Sequence, residues 1–213
     1  MIPADHVRRA EEVCTLAPVV PVLVVERADG AADLARALVA GGLRALEVTL
    51  RTPAALDAIR AMAGVPGGVV GAGTLLTPED VRAARAAGAQ FGVSPGATDR
   101  LIEACLDEDL PLLPGAATAT EVMALLERGY TVQKFFPAEA AGGARALAAI
   151  GAPLAGVRFC PTGGIGPANA RDYLSLKNVL CVGGSWVAPA DRVAAGDWAA
   201  IEALARDAAA LRG

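Results

Sequence analysis

The chain reads as an α/β protein, a (β/α)8 TIM barrel preceded by an N-terminal helix, and three observations lead there. Valine-rich segments alternate with alanine-rich segments of helical spacing along nearly the whole sequence. Strict alternation of this kind demands a parallel sheet covered by helices. Eight units in about 200 residues fit a small closed barrel better than an open doubly wound sheet, with a flavodoxin-like open sheet as the structural alternative. A chain of 213 residues, 54% hydrophobic and 20% charged, buries a full core but has little room for two, so residues 1–213 are read as a single domain.

Each element has its own signals. Ala4 to Leu16 has the pattern of a terminal helix ahead of the first strand, and Trp198 to Leu211 has the pattern of one behind the last. Strands are expected near Pro18 to Val25, Ala45 to Leu50, Val69 to Ala72, Phe91 to Ser94, Leu110 to Leu113, Thr131 to Phe136, Val157 to Cys160 and Val179 to Val182. Ala31 to Ala40 is helical and is closed by Gly41 and Gly42. Helix starts are marked by Thr52 before Pro53, by Thr77 before Pro78 with Glu79 and Asp80, and by Thr118 with Glu121 three residues on. Met62, Met123 and Trp198 are assigned to packing.

Composition excludes several function classes. Nineteen Lys and Arg against 23 Asp and Glu give a net charge of −4, which is not the footprint of a protein that neutralises phosphates along a nucleic acid. His6 is the sole histidine, so Ser-His-Asp, Cys-His and multi-histidine zinc arrangements would all depend on one imidazole near the N-terminus. Cys14, Cys105, Cys160 and Cys181 form no CxxC pair, and reduced, buried thiols in a cytoplasmic protein are expected. No apolar stretch reaches the ~18 to 20 residues that span a bilayer, and no signal-peptide pattern opens the chain, so no membrane partner is expected.

Polar residues break the core pattern in two strands. The second strand reads Leu46-Glu47-Val48-Thr49-Leu50-Arg51, and its period of two puts Glu47, Thr49 and Arg51 on one face and the leucines and valine on the other. With the apolar face against the helices, the polar face points into the barrel at its C-terminal mouth, where active sites of this fold lie. A structural ion pair between Glu47 and Arg51 is the plain alternative. In the sixth strand, Lys134 shares a face with Val132 and Phe136. Lys134 and Lys177 are the only lysines beside 17 arginines, so a lysine on a buried strand points to a need for an amine. A primary amine attacks a carbonyl to form an imine, whereas a guanidinium does not. Pairing of Lys134 with a buried carboxylate such as Glu47 is the competing explanation.

Glycine clusters follow the last two strands: Pro161-Thr162-Gly163-Gly164-Ile165-Gly166 and Val182-Gly183-Gly184-Ser185-Trp186. Barrels commonly hold a phosphate at these two positions, where glycine lets successive backbone NH groups converge on an anion. Gly71-Ala72-Gly73-Thr74, Ser94-Pro95-Gly96 and Pro114-Gly115 stand at other strand ends and fit ordinary turns as well as substrate contact.

Taken together, Leu46 to Arg51, Gly71 to Thr74, Ser94 to Gly96, Lys134 to Pro137, Phe159 to Ile165 and Gly183 to Trp186 resemble the 2-keto-3-deoxy-6-phosphogluconate (KDPG) and 4-hydroxy-2-oxoglutarate (KHG) aldolase family. The similarity runs from about Pro18 to Trp198. It implies a class I aldolase in which Lys134 forms a Schiff base with pyruvate and Glu47 moves protons. The same resemblance implies that Arg51 and Thr74 hold the pyruvate carboxylate and that Pro95 and Phe136 line the pocket. Thr162 would face the hydroxylated part of the substrate, and Gly163, Gly164, Gly184 and Ser185 would receive the phosphate. Its substrates would be pyruvate, glyceraldehyde 3-phosphate and a phosphorylated keto-deoxy sugar acid. The family is typically a trimer and uses no metal or other cofactor. Gln133 departs from the family pattern and is expected to point away from Lys134. The small side chains of Gly115-Ala116-Ala117 leave the choice of substrate open, with the 6-phosphogalactonate epimer and unphosphorylated 4-hydroxy-2-oxoglutarate as alternatives. A phosphosugar-binding protein without turnover is the alternative from another class.

Overall fold

The computed structural model describes residues 2–212. Helix α1 (Ala4–Thr15) leads into β1 (Val19–Leu23), α2 (Ala31–Ala40), β2 (Ala45–Thr49), α3 (Ala55–Ala63), β3 (Val69–Gly73), α4 (Pro78–Ala86), β4 (Phe91–Val93) and α5 (Asp99–Asp107). The chain continues through β5 (Leu112–Leu113), β6 (Gly115–Ala116), α6 (Ala119–Arg128), β7 (Val132–Phe135), α7 (Gly143–Gly151), β8 (Arg158–Pro161), α8 (Ala170–Leu174) and β9 (Val182–Gly184). Two further helices, α9 (Ala190–Ala195) and α10 (Trp198–Ala209), finish it.

Every strand pair is parallel, in the orders β5-β4-β3-β2-β1-β9 and β6-β7-β8. The two groups meet at both ends. Parallel bridges Phe159–Val179 and Thr162–Gly183 join the β8 side to the β9 side, and β5 runs into β6 across Pro114. The sheet therefore curls into a TIM-barrel-like cylinder covered by helices, which removes the open flavodoxin-like alternative. The expected fifth strand, Leu110 to Leu113, is shortened to β5; beyond Pro114, whose ring nitrogen carries no hydrogen to donate, the chain resumes as β6, and the Pro114 carbonyl accepts the Lys134 backbone N–H at 2.8 Å. The last strand lies later than expected: Val179 contributes one bridge, and the ladder with β1 runs from Val182 to Gly184.

Helix starts follow their caps, with one correction. Thr77 with Asp80 and Thr118 with Glu121 each form a reciprocal capping box. Thr52 does not cap a helix. Its hydroxyl donates to the Val25 carbonyl at 2.6 Å, a turn follows, and α3 begins only at Ala55. Met62 is fully buried and Trp198 packs on Gly30, but Met123 stands half exposed on α6, contrary to its assignment to packing.

An outer core fills the space between sheet and helices, with Leu46 and Val48 of β2 in it, and an inner cluster fills the cylinder. The inner cluster contains Val20, Ala45, Phe91, Val93, Leu113, Val132, Cys160 and Cys181, and α1 adds Cys14 to it from outside the sheet. The N-terminal helix thus plugs one end of the barrel. All four cysteines are buried, as expected of structural thiols; burial alone pushes the Cys105 thiol up to about 12.

The other terminal helix closes the side. At Gly41 an added methyl would lie 2.4 Å from the Ala205 Cβ and 2.7 Å from the Glu202 carbonyl oxygen on α10. Because one of those neighbours is backbone, the helix itself must move. Gly41→Ala is expected to destabilise the fold by about 1–3 kcal/mol, measured by urea unfolding. An unchanged midpoint would show that α10 is not held this closely.

Candidate active site

The polar face of β2 meets β7 inside the cylinder, above the inner cluster. Glu47 is 3% exposed and Lys134 is 5% exposed, and Lys134 Nζ lies 3.3 Å from Glu47 Oε1 across 87 residues of sequence. Glu47 therefore pairs with Lys134, while the Arg51 Nε–H bonds the Thr49 hydroxyl. The Lys134 nitrogen also stands 5.2 Å from the centre of the Phe136 ring. Burial pushes the Glu47 carboxyl above its ordinary value of 4.5, against the opposing pull of the Lys134 ammonium.

A cavity of about 280 Å³ opens onto this pair. Glu47, Arg51, Thr74, Pro95, Lys134, Phe136 and Thr162 line it together with Val22 and Thr49, two residues that the motif reading left without a role. Alternation along β2 already placed Thr49 on the Glu47 face; the signal for its part lies in its bonds. The Thr49 hydroxyl donates to the Leu23 carbonyl at 2.9 Å and accepts the Arg51 Nε–H at 3.3 Å. Its single proton is committed to Leu23, so the bond to Arg51 has a fixed direction and braces a residue that lines the cavity.

Thr74 leaves β3 with φ +62°, a left-handed conformation that is uncommon for a β-branched residue and costs on the order of 1–3 kcal/mol. The turn brings Thr74 to the cavity rather than continuing the strand outward. Pro95 follows β4 in the same alternation that puts Phe91 and Val93 inside the cylinder. Gln133 points away from Lys134, as expected, its amide donating to the carbonyls of Val122 and Tyr130.

Thr162 brings the first glycine cluster to this cavity, but the glycines of the two clusters are not among its lining residues. Gly163 and Gly164 take φ of +106° and +76°, and the Asn169 side chain braces the loop through the Gly164 carbonyl and the Gly166 N–H. At Gly184 a methyl group would strike the Trp186 ring, and Ser185 is exposed. The bridge between Thr162 and Gly183 holds the two loops side by side at the strand ends. His6 is remote from all of this, paired with Asp109 at 3.1 Å.

Comparison with known proteins matches residues 10–204 to the model of the KDPG and KHG aldolase family. The chain belongs to that family. A KHG/KDPG aldolase of Escherichia coli K12 is 56% identical over 200 residues, covering 93% of this chain and 94% of that protein. The crystal structure of the 2-keto-3-deoxy-6-phosphogluconate aldolase of Zymomonas mobilis ZM4 with 3-phosphoglycerate superposes with a TM-score of 0.92 at 51% identity, covering 96% of this chain and 97% of that one. KDPG aldolase from Legionella pneumophila, with pyruvate captured at low pH as a covalent carbinolamine intermediate, superposes at 0.90 with 44% identity over 94% of this chain and 98% of its own. The KDPG and KHG aldolase fold is thus the fold described above.

Proposed function

We propose that the chain is a class I aldolase, cleaving 2-dehydro-3-deoxy-6-phosphogluconate reversibly to pyruvate and glyceraldehyde 3-phosphate and acting also on 4-hydroxy-2-oxoglutarate. The observation that carries this reading is a buried lysine nitrogen 3.3 Å from a buried carboxylate at the base of a cavity. The covalent carbinolamine described for the Legionella pneumophila relative supports the same chemistry.

In this reading Lys134 Nζ, as the free amine, bonds to C2 of the keto acid. Glu47 delivers a proton to the former carbonyl oxygen, which leaves as water, and the imine remains. The Glu47 carboxylate then takes the proton of the C4 hydroxyl. As C4 becomes an aldehyde carbon, the C3–C4 bonding pair moves to C3 and the protonated imine absorbs it as an enamine. Glu47 returns the proton to C3, and water releases pyruvate. Burial raises the Glu47 carboxyl above its ordinary value, the direction that suits a group that must both give and take a proton.

Arg51 and Thr74 hold the pyruvate carboxylate, Pro95 and Phe136 wall the ring of space around C3, and Thr162 faces the hydroxylated carbons. The loops bearing Gly163, Gly164, Gly184 and Ser185 take the phosphate. We place the enzyme, as one barrel domain over 1–213 and as a homotrimer, in cytoplasmic carbohydrate metabolism of the Entner-Doudoroff type. Met1 and Gly213 lie outside the described residues.

Incubation with pyruvate and borohydride tests the reading. It is expected to add one reduced pyruvyl group, mapped to the peptide containing Lys134; an unchanged mass overturns it. Comparing kcat/KM for the phosphogluconate substrate, its galactonate epimer and the unphosphorylated acid assigns the substrate. The Thr49 contact gives a separate expectation: Thr49→Val leaves Arg51 unbraced and raises KM for the keto acid roughly tenfold, the equivalent of about 1.4 kcal/mol, with kcat little changed. Unaltered KM would show that Arg51 needs no orienting partner.

A further inference from the structure

We infer that Gly73 is a positioning residue for Glu47: the bare backbone of β3 at this point is the space in which the carboxyl group lies. The inference rests on the aldolase reading above for its activity readouts, but the contact itself does not depend on that reading.

Gly73 lies within β3, paired with Thr49 of β2, and its φ is not in the left-handed region. Nothing in the backbone conformation calls for glycine. Glycine inside a strand weakens it, so its presence marks a close approach. A Cβ built at Gly73 would stand 2.2 Å from Glu47 Oε1, 2.6 Å from its Cγ and 2.8 Å from its Cδ, and these three nearest atoms all belong to Glu47. The carboxyl group cannot give way freely. It is 3% exposed, and Lys134 Nζ already lies 3.3 Å from the same oxygen. A methyl group at position 73 therefore displaces the carboxylate from the amine it faces.

The preceding inward glycine of β3 supplies an internal control. At Gly71 an added Cβ would meet the Phe91 ring at 2.4–2.5 Å, a contact within the inner apolar cluster and with no atom of Glu47 among its nearest neighbours. The same strand thus carries one glycine that makes room for packing and one that makes room for the proton-transfer group.

Gly73→Ala is expected to lower kcat about a hundredfold, the scale of a misplacement on the order of 1 Å, while KM stays within about twofold because Arg51 and Thr74 are untouched. Placed in a Glu47→Ala background, the same substitution is expected to leave the residual activity unchanged and not to lower the melting temperature, since its collision partner is gone. Gly71→Ala is expected to lower the melting temperature in both backgrounds. If Gly73→Ala alone fails to fold, recovery of folding in the Glu47→Ala double variant supports the proposal and failure to recover overturns it. Wild-type kcat in Gly73→Ala, or equal losses of activity and melting temperature in the two backgrounds, also overturns it. Failure of the aldolase reading is recognised separately, by the absence of a pyruvyl adduct on the wild-type protein, and leaves the melting-temperature comparison intact.

Discussion

Lys134→Arg is expected to reduce aldol cleavage by a factor on the order of 10⁴ or more and to abolish the borohydride-trapped pyruvyl adduct. The reason is chemical rather than electrostatic. Arginine keeps a positive charge near Glu47, so the ion pair and much of the fold can persist, but a guanidinium does not release the electron pair that bonds to C2. A protein that merely binds a sugar acid through this charge would tolerate the exchange. Circular dichroism and a binding assay with inorganic phosphate, read beside the activity, separate loss of the nucleophile from loss of the fold. Turnover within tenfold of wild type would overturn the Schiff-base assignment.

Glu47→Gln is expected to reduce kcat about 10²–10⁴-fold, the usual contribution of a positioned acid-base group. The substitution keeps the size of the side chain and removes its capacity to carry a proton. In the proposed mechanism the ionised carboxylate is the form that accepts the C4 hydroxyl proton, and burial holds its titration above 4.5. The rate is therefore expected to fall as pH decreases through a value higher than an ordinary glutamate would give. The charged and titratable groups facing Glu47 are Lys134 on β7, Arg51 after β2 and Cys160 on β8, and the first and second oppose the rise. In Glu47→Gln this acid limb should vanish from the kcat/KM profile. A limb that persists unchanged would assign the proton transfer to another group.

Much of this arrangement is legible along the chain, because its physics is local. A period of two separates Glu47 and Thr49 from Leu46 and Val48, and the structure sends the first pair to the cavity and the second to the outer core. The capping boxes at Thr77 and Thr118 follow from residues three positions apart. What the sequence leaves unread is decided across space. Thr52 has the look of a cap, yet its hydroxyl finds a carbonyl 27 residues away. Met123 falls at helical spacing but on the outer side of α6, which spacing alone does not distinguish from the inner side. The short strand β9 takes its position from the ladder with β1, which begins at Val182, the last residue of the expected strand Val179 to Val182. Likewise, the pairing of Lys134 with Glu47 rather than Arg51 with Glu47 depends on which strands the closed sheet brings opposite each other.

The plug formed by α1 has a kinetic meaning. Cys14 joins the apolar cluster inside the cylinder, and the cavity at Glu47 and Lys134 lies on the other side of that cluster. In the proposed mechanism the keto acid bonded to Lys134 lies deeper in the cavity than the fragment cleaved from it, and would be the last to leave. On the aldolase reading proposed above, departure would be sequential, with the aldehyde fragment first and the keto acid last; product-inhibition kinetics check this, and equal competition of both products with the cleavage substrate would overturn it.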